Sequence, residues 1–244
     1  MTTSSISVLT YNVCFNRALS VMPQIIEKYK PDIICLQEVN LGKKHDYRGL
    51  LPGYTLGATS DSFYHIGKVY GLANFYRQDK FYQVGSQVVP LPKTYYEVIL
   101  SFITQKGPRS VLCSDFVLRD DLKKQFSVCN LHLTHQVATN TARNNQLYET
   151  LEHIELDPEQ HMVILGDFNY PFGRKGLEKI MDQYKLLEAT SNLTYTERFS
   201  LMRKNFKLDY ILHSPSLRCT GTSRLEEFKG SSDHYPIMST FSLA

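Results

Sequence analysis

No segment of this 244-residue chain has the composition of a membrane-spanning helix. Such a helix needs roughly 18 consecutive apolar residues, and no stretch approaches that length. Residues 1–7 also lack a basic segment followed by an apolar run, so we expect no secretory signal peptide. The sequence therefore predicts a cytoplasmic protein without stable membrane association.

Closely spaced cysteines are also missing. The five cysteines are far apart and include no Cys-x-x-Cys pair, and no cluster of cysteine and histidine indicates a zinc site. Four of them lie in or beside strand-like runs, where a thiol usually serves as a small buried hydrophobic group. We therefore expect reduced thiols at Cys14, Cys35, Cys113, Cys129 and Cys219.

The chain has no strong excess of charge and no internal repeat. Its 27 basic and 24 acidic residues give a net charge of +3, which permits an anionic substrate but is far from the balance of a dedicated nucleic-acid coat protein. Low-complexity segments and linkers are absent as well. We expect one domain over residues 1–244, acting as a monomer and folding without a metal or disulfide staple.

What the chain does contain is a series of short apolar runs with a few helical patterns between them. Helical spacing of apolar residues predicts helices over 20–29, 142–155 and 176–184. Many strands with interspersed helices predict two packed sheets with helices outside. The predicted strands are 6–10, 33–36, 71–76, 81–89, 98–104, 111–118, 126–131, 162–165, 208–212 and 237–242.

Polar residues stand at the ends of several predicted strands, where an apolar strand has no packing reason to finish in a carboxylate or an amide. Asn12 follows an apolar run, Glu38 ends the segment PDIICLQE, and His132 interrupts the apolar alternation of VCNLHLTH. Each also has an ordinary explanation: a turn former, a solvated carboxylate and a hydrogen-bonded core histidine. Their recurrence favours a ligand site.

The sharpest signal is the segment VILGDFN, in which an apolar strand is followed by Asp167 and Asn169 on one tight turn. A carboxylate and an amide so placed are suited to orienting a water molecule. Asp209 lies inside the strand pattern LDYIL, where an unpaired charge is costly to bury and needs a partner such as a histidine. SSDHYPI places Asp233 beside His234, a pair able to supply a metal ligand and a proton-transfer group.

These segments, in this order, resemble the endonuclease/exonuclease/phosphatase family over about residues 6–243. The resemblance rests on Asn12, Glu38, GDFN, LDYIL and SDHYPI; each is weak alone, but the family has all five in this order. The family includes deoxyribonucleases, apurinic endonucleases, neutral sphingomyelinases, inositol-polyphosphate phosphatases and tyrosyl-DNA phosphodiesterases. The resemblance implies an α/β four-layer sandwich, with helices flanking two central mixed β-sheets.

The resemblance also implies a cleft that holds Mg²⁺ or Mn²⁺, hard cations that prefer oxygen ligands. Glu38 would be the principal ligand, with Asn12 and Asp233 close by.

The family's reaction is an in-line attack of water on phosphorus, with charge on the phosphoryl oxygens neutralised by the metal. By resemblance, Asp167 and Asn169 would position the water. His234, oriented by Asp209, would act either as the general base or as a donor to a phosphoryl oxygen. His132 would donate a hydrogen bond to the phosphate or assist the leaving group.

The resemblance defines the substrate less well. NLHLTH is similar to the histidine motif of the deoxyribonuclease, sphingomyelinase and tyrosyl-DNA phosphodiesterase branches, and Arg109 is similar to a phosphate-contacting arginine of the deoxyribonuclease-like branch. A solvated charge at a strand edge explains Arg109 equally well. The helix entry with Arg143 and Gln146 is similar to that of tyrosyl-DNA phosphodiesterases, but Tyr170 and Pro171 stand where that branch has an arginine after GDxN.

We therefore expect a metal-dependent hydrolase of phosphodiester bonds in nucleic acid, such as an endonuclease, an exonuclease or a phosphodiesterase of DNA repair. The alternatives are a lipid or small-molecule phosphoesterase and an inactive binding module on the same fold. Aromatic residues in predicted loops could stack on bases or cover the core, and do not decide between these functions. They are Phe63, Tyr64, Tyr95 and Tyr96.

Overall fold

Two six-stranded β-sheets lie face to face, and helices cover the outer face of each. This arrangement is seen in a computed structural model that describes residues 5–42, 50–65, 68–93, 98, 109–135, 139–199 and 204–243. It confirms the predicted four-layer α/β sandwich with two central mixed sheets.

The first sheet is mixed, because its central strands pair in both directions. Its strands are β1 (Ser5–Asn12), β2 (Ile33–Asn40), β3 (Tyr54–His65), β4 (Lys68–Arg77), β13 (Leu217–Arg224) and β14 (Ile237–Leu243). They lie in the order β13-β14-β1-β2-β4-β3. Strand β1 runs parallel to β2 and antiparallel to β14.

The second sheet is mixed in the same way. Its strands are β5 (Phe81–Pro90), β6 (Ser110–Leu118), β7 (Gln125–His132), β8 (Met162–Asp167), β9 (Leu187–Glu188) and β12 (Asp209–His213). Their order is β5-β6-β7-β8-β12-β9, with β7 parallel to β8 and β12 antiparallel to β8. A separate hairpin consists of β10 (Glu197–Phe199) and β11 (Lys204–Phe206).

In the part of the chain that the structure describes, three complete α-helices flank the sheets. Helix α1 (Met22–Tyr29) packs on the first sheet, whereas α2 (Asn140–His153) and α3 (Lys175–Gln183) pack on the second. Short 3-10 helices, η1 (Arg17–Val21) and η2 (Glu226–Phe228), complete the layer beside α1. Among the described helices, none combines the length and the apolar character that crossing a membrane requires.

Alternate residues of the central strands fill the space between the sheets. Successive strand residues point to opposite faces. Every second residue of a strand therefore points into the space between the sheets, as far as the strand's end. In β1 the apolar members are Ile6 and Val8, and in β8 they are Val163 and Leu165. Continuing each series by two residues at a time leads to polar side chains at the strand ends, Asn12 in β1 and Asp167 in β8.

The predicted helices agree with the observed ones to within two residues at each end, and the predicted strands other than 98–104 correspond to observed strands. Of 98–104 only Val98 is described, and it is helical. Tyr95, Tyr96 and the side chains of Phe63 and Tyr64 lie outside the described residues. The sequence missed the short strands β9, β10 and β11. It also missed β3 and β13, which read YTLGATSDSFYH and LRCTGTSR. Both are edge strands with little apolar alternation.

The expectation of five reduced thiols is wrong for two of them. Cys113 and Cys129 form a disulfide that joins β6 to β7. The two residues are direct partners in the antiparallel pairing of these strands, a register that a spacing of 16 residues does not reveal. Cys14, Cys35 and Cys219 are free thiols.

Candidate active site

Asn12 and Glu38 form one side of a polar cluster at the end of the central strands. The Asn12 side chain is buried, and its Nδ2 donates to Glu38 Oε1 at 3.2 Å. Its Oδ1 accepts a hydrogen bond from the backbone N of Cys14 at 3.0 Å, which fixes the orientation of the amide. Asn12 therefore presents its donor to carboxylates.

Glu38 reaches this cluster because β2 is irregular at this residue. Regular alternation would turn Glu38 away from the space between the sheets, since Gln37 points inward to Asn130. The pairing of β2 with β4 shifts between Leu36 and Val39, and Glu38 has a φ of 59°. A bulge of this kind re-aims a side chain, and here it directs the carboxylate toward Asn12.

Asp167, at the end of β8, is the centre of the cluster. Its Oδ2 accepts a hydrogen bond from Asn12 Nδ2 at 3.1 Å and lies 3.5 Å from His132 Nε2 and 3.7 Å from His234 Nε2. Burial, opposed by His234 and reinforced by Asp209 and Glu38, raises the pKa of Asp167 to about 8. Asp167 therefore binds a proton more readily than an ordinary carboxylate does.

The turn after β8 depends on a glycine and brings Asn169 beside Asp167. Gly166 has a φ of 136°, and a Cβ there would lie 2.0 Å from the carbonyl oxygen of Leu131, so no other residue fits. Asp167 Oδ1 accepts a hydrogen bond from the Asn169 backbone N at 2.9 Å, and Asn169 Nδ2 donates to Leu133 O. The motif GDFN thus gives a rigid turn.

Asp209 and His234 form a buried pair on the opposite side of Asp167. The two atoms His234 Nδ1 and Asp209 Oδ2 are 2.8 Å apart. Burial alone would lower the pKa of His234, but the carboxylates of Asp209, Asp167 and Asp233 together raise it well above its ordinary value. His234 is therefore protonated at neutral pH, with both ring nitrogens acting as donors.

Asp233 is the exposed member of the cluster. Its neighbour Ser232 donates to the Asn12 carbonyl oxygen at 2.8 Å, which joins the SDH segment to the end of β1. Burial of part of Asp233 opposes ionisation, but the charge of His234 and the hydroxyl of Ser232 lower its pKa. Asp233 is therefore an anion at the mouth of the site.

His132 and Arg109 lie on the β7 side. Burial and the nearby charges of Arg109 and His234 hold the pKa of His132 well below its ordinary value, so this imidazole is neutral. Arg109 Nη1 donates to the carbonyl oxygens of His132 and Leu133. The guanidinium predicted to contact phosphate thus also supports the backbone that carries His132.

The structure adds a buried carboxylate that the sequence did not indicate. Glu197 is 3% exposed, and the potential ligand atoms of Glu197, Asp233 and His234 all lie within 4.8 Å of one another. A single bridge between the backbones of Glu197 and His234 aligns the two segments. Nothing in the sequence pointed to Glu197, because TYTERFS has neither a strand pattern nor a motif.

A buried polar network beneath the site joins the two sheets and was also missed. Gln37 Nε2 donates to Asn130 Oδ1 at 2.8 Å, and Asn130 Nδ2 donates to Asn74 Oδ1 at 2.9 Å. Asn74 Nδ2 in turn donates to Ser114 Oγ. All four side chains are fully buried, so the network fixes how the strands that carry Glu38 and His132 face each other.

The donor set fits the cation that the family resemblance implies. Glu38 and Asp233 offer carboxylate oxygens, which hard divalent cations prefer. The amide oxygen of Asn12 accepts a hydrogen bond from the Cys14 backbone N and has one further lone pair. Burial raises the pKa of Glu38 as it does that of Asp167, despite the opposing effects of His234 and Asn12. A cation beside these carboxylates would offset the cost of keeping them ionised.

Comparison with known proteins identifies the family of this chain. The chain matches the model of the Endonuclease/Exonuclease/phosphatase family over residues 9–234. No curated protein sequence matches the chain.

Several solved structures share the fold. The human nocturnin catalytic domain with bound sulfate is 21% identical, with 98% of this chain and 94% of that chain covered and a TM-score of 0.76. ANGEL2, a 2′,3′-cyclic phosphatase, in complex with adenosine-2′,3′-vanadate is 17% identical, with 99% and 96% covered and a TM-score of 0.76. Mannosyl-6-phosphatase Bt3783 of Bacteroides thetaiotaomicron is 20% identical, with 97% and 99% covered and a TM-score of 0.71.

At these identities the structural likeness shows the fold alone, whereas the family match spans the cluster from Asn12 to His234. The chain belongs to the endonuclease/exonuclease/phosphatase family of phosphoester hydrolases.

Proposed function

We propose that this protein is a divalent-metal-dependent phosphodiesterase that acts on nucleic acid. One observation carries the proposal: Asp167 lies within hydrogen-bonding or ion-pair distance of Asn12, His132 and His234. One carboxylate is thus surrounded by nitrogen donors, and the Asn12 amide joins it to the carboxylate of Glu38. Hydrolysis by water requires such an arrangement, because the water, the phosphorus and the leaving group must be held together.

In this mechanism Glu38, Asn12 and Asp233 would hold Mg²⁺ or Mn²⁺. When bound, the cation would neutralise negative charge that develops on the phosphoryl oxygens.

Asp167 accepts the proton of the attacking water. Burial raises its pKa to about 8, and a bound cation would favour its ionised form. Asn169 is fixed beside Asp167 by the rigid turn and helps to hold the water in line with phosphorus.

His234 donates to a phosphoryl oxygen. The sequence left open whether His234 is a base or a donor, and its raised pKa favours the donor, because a protonated imidazole cannot accept a proton. Asp209 holds this charge in place through Nδ1. Neutral His132 supplies a second, weaker hydrogen bond, to the phosphate or to the leaving group.

Three features favour a nucleic-acid substrate. The net charge is +3, Arg109 adds a cation beside His132, and one solved structure of the same fold is a 2′,3′-cyclic phosphatase bound to adenosine-2′,3′-vanadate. The second candidate is a small phosphoester such as a sugar phosphate, because another structure of this fold is a mannosyl-6-phosphatase.

A substrate screen with Mg²⁺ or Mn²⁺ tests the proposal. We would compare kcat/KM for single-stranded DNA, RNA, phosphotyrosyl-DNA, 2′,3′-cyclic nucleotides, inositol phosphates, mannose 6-phosphate and choline lipids. The proposal predicts the highest value for a nucleic acid, with a KM that rises steeply with salt because phosphate contacts release counterions. A preference for mannose 6-phosphate with little dependence on salt would support the second candidate instead.

A further inference from the structure

A pocket with a volume of about 470 Å³ opens beside the turn that follows β8, between residues 170–174 and the β10–β11 hairpin. Tyr170 follows Asn169 directly, and Tyr210 follows Asp209. Since neighbouring strand residues point to opposite faces, Tyr210 faces the outer layer while Asp209 faces the catalytic cluster. This aromatic–cationic pocket therefore lies on the outer flank of the active site. It is lined chiefly by Tyr170, Phe172, Arg174, Phe206, Lys207 and Tyr210.

The pocket carries an excess of positive charge. Arg174 and Lys207 both pair with the single carboxylate of Glu188, Arg174 Nη2 at 2.5 Å and Lys207 Nζ at 2.6 Å. The two cations also lie 5.3 and 5.2 Å from the centre of the Tyr210 ring. Glu178 acts on Arg174 as well, but the described lining of the pocket contains these two cations and no carboxylate, so this wall can attract an anion.

Two buried donors at the pocket have no partner in the described part of the chain. They are the hydroxyl of Tyr210, whose side chain is 0% exposed, and Nε of Arg174. Most buried polar groups in folded proteins are hydrogen-bonded. Donors in this position would be satisfied by a ligand with acceptor oxygens.

The rim of the pocket is aromatic and is held by a fixed backbone. Phe172 is 66% exposed, and its ring packs edge-on against Phe206 with centroids 5.3 Å apart. Asn140 Nδ2 donates to the carbonyl oxygens of Phe172 and Gly173, at 2.7 and 3.2 Å. Helix α2 therefore anchors the loop that holds the Phe172 ring out in solvent, although burying the ring would be more favourable.

We propose that this pocket binds a nucleotide unit of the substrate that lies outside the cleaved bond. A base stacks on Phe172, as bases do on exposed aromatic rings, and its phosphate lies against Arg174 and Lys207. Tyr210 and Arg174 Nε donate to the same anion. The inference rests on the proposed nucleic-acid substrate and adds a second point of contact to it.

Binding of a fluorescein-labelled single-stranded hexanucleotide, measured by anisotropy in EDTA, tests the pocket without requiring turnover. Phe172→Ala should raise the Kd about tenfold, the size expected for one lost stacking contact. Phe172→Tyr keeps the ring and should keep the affinity. Val84→Ala, at a side chain 60% exposed on β5, is the matched control for loss of exposed apolar surface.

The cationic wall is tested by Arg174→Gln and Lys207→Met, with circular dichroism to check folding. Each should raise the Kd and flatten its dependence on salt. Among enzyme assays, the ratio of kcat/KM for the hexanucleotide to that for bis(4-nitrophenyl) phosphate should fall about tenfold in Phe172→Ala.

The outcomes separate this inference from the proposed function. If the hexanucleotide binds but is not cleaved, and Phe172→Ala weakens binding, the pocket stands and the proposed activity fails. If it is cleaved and Phe172→Ala binds it as tightly as Val84→Ala does, the pocket inference is overturned alone. Failure of the wild-type protein to bind it overturns the pocket inference, while cleavage in the substrate screen still decides the activity.

Discussion

His234 Nδ1 lies 2.8 Å from Asp209 Oδ2, and both side chains are buried at the end of the second sheet. The pair explains how a charged imidazole survives in a buried place: Asp209 is the largest of the influences that raise its pKa. By favouring the protonated ring, the pair supports the donor role proposed for His234 over the role of a base.

Asp209→Asn should therefore lower the pKa of His234. If protonated His234 is the donor, activity is lost as pH rises through this pKa, and the alkaline limb of the kcat/KM profile moves to lower pH. At pH 8 the loss of rate should be about 10²–10⁴-fold, the usual contribution of such a group. Asp120→Asn, at an exposed residue, is the control. If the acid limb moved instead, His234 would be acting as a base.

Glu38→Ala should weaken cation binding and activity together, because it removes the carboxylate expected to be the principal ligand. The Mn²⁺ concentration for half-maximal activity should rise at least about tenfold, in line with the usual cost of disturbing a metal site. Calorimetric titration with Mn²⁺ gives the affinity directly. Glu27→Ala, on the exposed face of α1, controls for the loss of one negative charge; equal Mn²⁺ affinity in both variants would refute the ligand role.

Asn130→Leu should destabilise the fold by about 2–4 kcal/mol. The substitution removes one hydrogen bond from each buried partner of Asn130, namely Gln37, Asn74 and the Leu36 carbonyl. Buried polar groups that lose a hydrogen bond are costly. Urea unfolding gives the free energy of unfolding, and Asn192→Leu on the exposed surface is the control. A change within about 0.5 kcal/mol, ordinary for a surface substitution, would show that the network does not hold the sheets together.

The disulfide predicts a thiol count. Denatured protein without reductant should react at three thiols, Cys14, Cys35 and Cys219, and reduced protein at all five. Mass spectrometry of a proteolytic digest should find the Cys113 peptide joined to the Cys129 peptide. Five reactive thiols before reduction would contradict the bond.

Much of the site could be predicted from the sequence because its residues continue the alternation of side chains that point between the sheets. Three site residues lie an even number of positions after buried apolar residues of the same strand, so they lie on the same face of that strand. They are Asn12 in β1, His132 in β7 and Asp167 in β8. A polar residue that continues an inward series at a strand end must face either the core or a ligand. The sequence alone thus indicates on which face of the sheets, and at which end of the strands, the site lies.

What the sequence did not give depends on local irregularity or on distant pairing. Glu38 faces the site only because of a bulge and a positive φ, which the motif suggests by resemblance and not by periodicity. Glu197 comes near His234 through one isolated bridge, and Cys113 meets Cys129 through strand register. Neither of these two contacts has a signature in the nearby sequence.

Asp167→Asn gives the most direct test of the central claim that this cluster hydrolyses phosphodiesters in nucleic acid. The measurement is the initial rate of cleavage of a single-stranded oligonucleotide with saturating Mg²⁺ or Mn²⁺, by wild type and by a variant whose circular dichroism shows it folded. We predict metal-dependent cleavage by the wild type and a loss of at least about 10²-fold in the variant. Cleavage by Asp167→Asn at the wild-type rate would contradict the account.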